Sequence, residues 1–198
     1  MSDIHAPIHA IVLAAGFGSR FGGGKLMAPW RGGVLLDGAL DAAFAARVSA
    51  VHVVVGADPA IAAHAKARGA VIVEARDHAL GLSASLKAGI AALPSDAHGV
   101  LVFLGDMPLV PHAVLAPLVQ AILAGAPAAV PVFDGRIGNP AALAASLFPE
   151  VLVLEGDRGA RALLEGLGQS LVRVEAPDAG VLYDVDRRED LHPGALPT

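Results

Sequence analysis

Apolar positions along the chain follow two rhythms. Short runs rich in valine and isoleucine alternate with longer alanine- and leucine-rich stretches, in which apolar residues recur every three or four positions. The runs at 8–13, 51–55, 71–74 and 100–104 predict strands. Gly56 closes the second, and the fourth is apolar throughout, as expected when both faces are covered. Between them, 34–48 predicts a helix on the spacing of Leu35, Leu36, Leu40, Phe44 and Val48. A helix over 59–68 has Asp58 as N-cap, Pro59 at its first position and Gly69 at its end. Residues 83–93 predict a third helix, capped by Ser83 and stopped by Pro94. Gly105-Asp106-Met107-Pro108 then leads into a helix reaching Leu123, and Pro117 within it predicts a kink or a late start. Further on, 128–133 predicts a strand that Pro131 marks as an edge or a bulge. Helices are expected at 141–147 and 157–167, the second capped by Asp157, strands at 170–174 and 181–185, and a loose tail from 193 to 198.

Strand–helix alternation over most of the length predicts a three-layer α/β sandwich: a mostly parallel, Rossmann-like sheet with helices on both faces. With no repeat and no linker, one domain over 1–198 is expected, its core at about 8–191. Ligands of such sheets bind beyond the carboxyl ends of the strands.

Composition narrows the classes. An apolar share of 55% against 17% charged excludes disorder. Mean hydropathy is +0.60, yet no apolar run approaches the ~18 residues of a membrane span. The start, Met-Ser-Asp-Ile-His, does not read as a secretory signal. A net charge of −5 argues against nucleic acid as a partner, and the absence of cysteine excludes disulfides, thiolate metal sites and a cysteine nucleophile. A cytoplasmic metabolic protein is the expected class.

The first strand runs into Leu-Ala-Ala-Gly-Phe-Gly-Ser-Arg-Phe-Gly-Gly-Gly-Lys, residues 13–25. Its glycines, Gly16, Gly18, Gly22, Gly23 and Gly24, leave backbone N–H groups free to wrap phosphate oxygens, and Arg20 and Lys25 are its only cations. A dinucleotide fingerprint would need glycine where Phe21 stands. A P-loop would need glycine at Ser19 and Ser or Thr at Leu26. The fourth strand delivers Asp106, a carboxylate suited to Mg²⁺ and equally to capping the turn before Pro108. Near the C-terminus Asp184 and Asp186 stand two apart, and either could be a second metal carboxylate. Gly81 and Ser83 open a helix whose N–H groups face outward, and Arg158 and Arg161, three apart, share a helix face that could grip an anion. The eight histidines show no metal-ligand spacing, and Ser19, Ser83 and Ser85 lack a nucleophile-elbow context.

Together these segments resemble the nucleotidyltransferases that make the dinucleotide form of the molybdenum cofactor, within the sugar-nucleotide-transferase-like group. The group's opening motif, L-A-x-G-x-S-x-R-x-G-x-x-K, stands here with Arg20, Gly22 and Lys25 in register and Gly18 and Ser19 close to the small and polar positions. Leu104-Gly105-Asp106-Met107-Pro108 matches the metal-aspartate motif, and 81–89 and 156–161 look like segments of the cytidylyl branch. Ala14-Ala15-Gly16 is also closer to that branch than to the Leu-Ala-Gly-Gly of the guanylyl branch. The resemblance implies that Leu13, Ala14, Ala15 and Gly16 line the base, with Asp77 and Ser83 near base or ribose. It implies Mg²⁺, or Mn²⁺ in its place, on Asp106 and Asp186, with Asn139, Pro140, Arg158 and Arg161 toward the acceptor. Two departures stand out. Asn139 replaces the histidine of a Gly-His-Pro segment, and Arg187-Arg188 replaces Thr-Pro in the C-terminal D-x-D-T-P-x-D.

The implied reaction is transfer of a nucleoside monophosphate from a nucleoside triphosphate, CTP by branch, to the phosphate of molybdopterin, releasing pyrophosphate. Arg20, Lys25 and Asp106 would carry it. A molybdoenzyme receiving the product is an implied partner; nucleic acid and membrane are not. The rival enzymes are guanylyl or sugar- and polyol-phosphate transferases of the same fold. The rival of another class is a non-catalytic module that delivers cofactor.

Overall fold

The structure is a computed structural model describing residues 7–16, 20–75, 81–154 and 160–192. Its strands are β1 (Ile8–Ala14), β2 (Pro29–Trp30), β3 (Gly33–Val34), β4 (Val51–Val55), β5 (Val71–Glu74), β6 (Gly99–Leu104), β7 (Ala128–Phe133), β8 (Arg136–Ile137), β9 (Ala141–Ala144) and β10 (Leu171–Glu175). Its α-helices are α1 (Leu35–Ala45), α2 (Pro59–Ala67), α3 (Leu82–Ala91), α4 (Leu115–Leu123), α5 (Phe148–Leu152) and α6 (Arg161–Gly166). The main sheet runs β10-β7-β9-β6-β1-β4-β5, with β8 paired to β7. β1 pairs in parallel with both β4 and β6. β9 is antiparallel to β6 and to β7, so β6 and β7 point the same way.

Alternation along β1 divides the core. Ala10, Val12 and Ala14 join Leu36 and Leu40 of α1, Ile61 of α2 and Leu118 of α4 on one face. Ile11 and Leu13 join Leu86 and Ile90 of α3, Val151 of α5 and Leu164 of α6 on the other. That is the expected three-layer sandwich. Local chemistry starts α2 and α4 where it was read. The Asp58 carboxylate accepts from Ala60 N–H at 2.9 Å, and α4 starts late, after a 3₁₀ turn at His112–Val114. Pro117 therefore sits in its first turn, where an N–H has no intrahelical partner to lose.

Four expectations are corrected. Residues 141–147 are not a helix but strand β9 followed by a 3₁₀ turn, because Ala141, Ala142 and Leu143 are buried between β6 and β7. Residues 181–185 are not a strand; Ala179–Leu182 is a 3₁₀ turn that the Asp178 carboxylate caps at Gly180 N–H. Ser83 does not cap α3. Gly81 holds that position at φ 107°, and Ser83 is buried inside the first turn. Pro131 is not on a sheet edge, since β7 lies between β10 and β9. It stands where β9 pairing stops at Ala129 and β8 pairing resumes at Val132, and its carbonyl accepts from Gly138 N–H at 2.9 Å, so a break in the ladder accommodates its missing N–H. The expected cap Asp157 and the tail 193–198 lie outside the described residues.

Candidate functional site

The carboxyl ends of β1 and β6 are neighbours and carry the two principal motifs. Gly105 N–H donates to the Leu13 carbonyl at 2.9 Å, and a Cβ on Gly105 would stand 3.0 Å from that oxygen. Glycine lets the two strand ends close, which brings Asp106 beside the loop leaving β1. In that loop Gly22, Gly23 and Gly24 all have positive φ, at 90°, 90° and 63°, a conformation L side chains resist. The loop then turns through Lys25–Met27, a 3₁₀ turn.

Lys25 is the hub. Its side chain is 11% exposed, and Nζ lies 2.6 Å from Asp106 Oδ2 and 3.8 Å from Asp186 Oδ1. Arg20 Nη1 lies 3.0 Å from Asp186 Oδ2. Asp186 reaches this point because Val185, fully buried, donates its N–H to the Asp106 carbonyl at 3.0 Å. Two carboxylates 81 and 161 positions along the chain from Lys25 thus share its charge. Asp184 is the third carboxylate near it. Partial desolvation, then the charges of Asp186 and Asp106, push its carboxyl up, and Lys25 counters them.

Among the described residues, no group of three or more His, Cys, Asp or Glu side chains is gathered to hold a metal. The pair Asp106 and Asp186 nevertheless fits Mg²⁺ or Mn²⁺ bound together with phosphates. Such ions take only one or two protein carboxylates, and these two already converge on a single positive charge.

Two clefts flank the hub. One, of about 320 Å³, is lined by Ala14, Ala15, Gly16, Gly24 and Lys25, and by Gly56, Ala57 and Asp58 from the end of β4. The second, of about 260 Å³, opens on the other face of β1. Its walls are mainly Leu13, Leu82, Leu86, Leu104, Ile137 and Leu164, with Asn139, Arg161 and Glu165 as its polar members. Leu13 is therefore parted from Ala14–Gly16. Arg161 is paired with Glu165 at 3.0 Å, one helical turn on. Asn139 N–H donates to the Val181 carbonyl at 2.9 Å, and Pro140, buried, follows a cis bond. Gly81 and Ser83 stand at the start of α3, beside Leu82 of the second cleft. Gly18, Ser19, Asp77 and Arg158 lie outside the described residues.

Residue-by-residue reading missed Gly56–Asp58, although the rule that sites gather at strand ends points to them. The apolar walls of the second cleft carry no motif and had no signal of their own. No helix among the described residues is long and apolar enough to cross a membrane.

The chain is 31% identical to a nicotine blue oxidoreductase of Paenarthrobacter nicotinovorans, over 97% of this chain and 98% of that one. It is 29% identical to the molybdenum cofactor cytidylyltransferase of Escherichia coli K12, over 92% and 93%. The crystal structure of Rv0371C from Mycobacterium tuberculosis in complex with manganese superposes with a TM-score of 0.77 at 26% identity, covering 93% of this chain and 95% of that one. Residues 10–174 match a family of nucleotidyltransferases, and the chain belongs to it: the MobA-like NTP transferase domain family.

Proposed function

We propose that the protein transfers a nucleoside monophosphate, from CTP, to the terminal phosphate of molybdopterin and releases pyrophosphate. The observation that carries this reading is the hub: Lys25 and Arg20, set in a glycine-rich loop, held against Asp106 and Asp186 at the carboxyl ends of neighbouring strands. The chemistry asks for alignment and charge neutralisation rather than a protein nucleophile. A divalent ion held by Asp106 and Asp186 would neutralise phosphate charge there. Arg20 and Lys25 leave their carboxylates for the triphosphate and stabilise charge on the α-phosphate and the departing pyrophosphate. N–H groups of Gly16 and of the loop from 20 to 25 add donors to the same oxygens. The attacking phosphate is already an anion near neutrality, so no residue need remove a proton.

The two clefts divide the substrates. The cleft at Ala14–Gly16 takes the nucleotide. The second takes the acceptor's body against Leu82, Leu86, Ile137 and Leu164, with Asn139 and Arg161 at its polar side. Walls of that kind favour a flat heterocycle over a sugar or polyol, whose hydroxyls would lose water without gaining partners. Support for CTP comes from the Ala-Ala-Gly turn and from the likeness to the cytidylyltransferase of E. coli. A molybdoenzyme is the proposed recipient of the product.

The test is pyrophosphate release across four nucleoside triphosphates, each with molybdenum-loaded pterin, with a sugar phosphate, and with no acceptor. Release with CTP and pterin alone is expected. Release with GTP or with a sugar phosphate assigns another specificity, and binding with no release under any condition assigns a delivery role. The 31% identity to nicotine blue oxidoreductase favours a second reading, in which the apolar cleft holds an oxidised heterocycle for reduction. Oxidation of NADH or NADPH by such a dye, with no pyrophosphate formed, would put that reading first.

A further inference from the structure

The turn that presents Asp186 is closed by one carboxylate. Asp190 Oδ2 accepts from the N–H of Asp186 at 2.9 Å and of Arg187 at 2.7 Å. The Asp190 N–H donates back to the Arg187 carbonyl at 3.1 Å, and its carbonyl accepts from the Tyr183 hydroxyl. Residues 183–190 therefore form a closed ring of hydrogen bonds with Asp186 at its apex. Arginine has no acceptor atom with which to cap the 3₁₀ turn that follows at Arg188–Leu191, so closure falls to Asp190.

This ring also touches the glycine-rich loop twice. Arg20 meets Asp186 at 3.0 Å, and the Arg188 guanidinium lies 4.9 Å over the ring of buried Phe21. Among Arg188–Leu191 no residue is buried. Leu191 packs part-buried against the core, while the carboxylate of Asp190 is spent on the backbone that carries Asp186.

We infer that Asp190 is a positioning residue for the divalent cation: it touches neither nucleotide nor acceptor, and it holds Asp186 where Asp106 can share an ion with it. The inference rests on the reading of Asp106 and Asp186 as the cation pair. A charged acceptor binds two N–H groups more strongly than a neutral one. Its loss frees the 186–187 backbone and with it the Asp186 side chain.

Calorimetric titration of Mn²⁺ into the metal-free protein, without nucleotide, tests this. Outer-shell partners typically matter by roughly 10–100-fold in metal affinity, and Asp190→Ala is expected to weaken Mn²⁺ within that range. Asp190→Asn, which keeps an acceptor oxygen, is expected to recover part of the loss. In the assay the metal concentration for half-maximal rate rises, while the KM for CTP at saturating metal stays put. Mn²⁺ affinity within twofold of wild type in folded Asp190→Ala overturns the inference. So does an unfolded or strongly destabilised Asp190→Ala, which would make the residue structural, and so does equal loss in Asn and Ala, which would make charge alone the cause. Asp186→Ala is the control. If it leaves Mn²⁺ binding intact, the cation-pair reading fails and this inference falls with it. If Asp186→Ala abolishes binding while Asp190→Ala does not change it, only the inference falls.

Discussion

Each side chain of the hub has a distinct expected signature. Among the described residues the Asp106 carboxylate is hydrogen-bonded to Lys25 alone, at 2.6 Å. Asp106→Ala should therefore leave folding intact, with an unchanged circular dichroism spectrum. On the proposed function it also removes a metal carboxylate, worth several kcal/mol of charge stabilisation in the transition state, so turnover should fall on the order of 10²-fold or more. Near-normal turnover would remove Asp106 from the chemistry. Lys25 makes the opposite demand on its surroundings. It neutralises the carboxylates before any ligand arrives, and so competes with a cation for them. Lys25→Ala should raise the KM for the triphosphate and lower kcat by about 10²–10³-fold, the usual cost of a lost donor to developing charge. The same variant should bind Mn²⁺ alone more tightly than wild type. Weaker Mn²⁺ binding would mean that lysine and metal do not share these oxygens.

At the scale of elements, legibility in the sequence followed the strength of local signals. Strands β4 and β5 were bounded correctly because valine runs end at glycine or a charged residue. Helix α2 was read from Asp58 and Pro59, which act locally. β9 was not, because Ala141-Ala142-Leu143-Ala144 has neither a period of two nor one of 3.6, and its burial between two strands is a tertiary fact. The β2–β3 hairpin was missed for a related reason: two-residue strands carry too few positions for any pattern. In the site, Arg20, Lys25, Asp106 and Asp186 could be found because the motif brings charge to strand ends. Asp190 ends the C-terminal motif, but the bonds it makes to the Asp186 and Arg187 N–H groups close only when the turn folds and had no signal in the sequence. One contact between elements is equally hidden and readily tested. Gly38 of α1 packs on the turn after Asp106, and a Cβ there would meet the Pro108 carbonyl oxygen at 2.4 Å and Pro108 Cα at 2.5 Å. Gly38→Ala, normally favourable in a helix, should instead cost about 1–3 kcal/mol through overpacking. Urea denaturation measures that loss, and kcat should drop with it because the displaced turn carries Asp106. A stabilised variant would show that α1 can move away without cost.

Across the whole molecule, the candidate site and a buried histidine pair stand at opposite ends of the strands. The hub sits at the carboxyl ends of β1 and β6, while His9 and His52 meet near the amino ends of β1 and β4. Both are 5% exposed, and His52 Nε2 lies 3.3 Å from His9 Nδ1. One ring donates to the other, and His52 Nδ1 is buried with no hydrogen-bond partner among the described residues. Burial lowers both imidazoles below their ordinary 6.5; the neighbouring ring lowers His52 further, and the charge of Asp96 partly offsets the effect on His9. The folded pair therefore resists protons that the unfolded chain accepts. Between 6.5 and the lowered values the unfolded state binds more protons, so stability rises with pH there. It is fully present above 6.5 and is lost as pH falls through the folded values. Asp37, held below its ordinary 3.8, is also desolvated. Its lowering comes from the Val34 N–H, His64 and Arg68, and its contribution is lost only in stronger acid. Thermal midpoints taken from pH 8 down to pH 5 should thus fall across the histidine window, and the His52→Phe variant should fall less steeply. Pyrophosphate release by protein that is still folded should not follow the same curve, because the pair lies away from Lys25 and Asp106. Parallel midpoint curves for wild type and His52→Phe would show that this pair does not take up the proton, and would move the origin of acid sensitivity elsewhere in the chain.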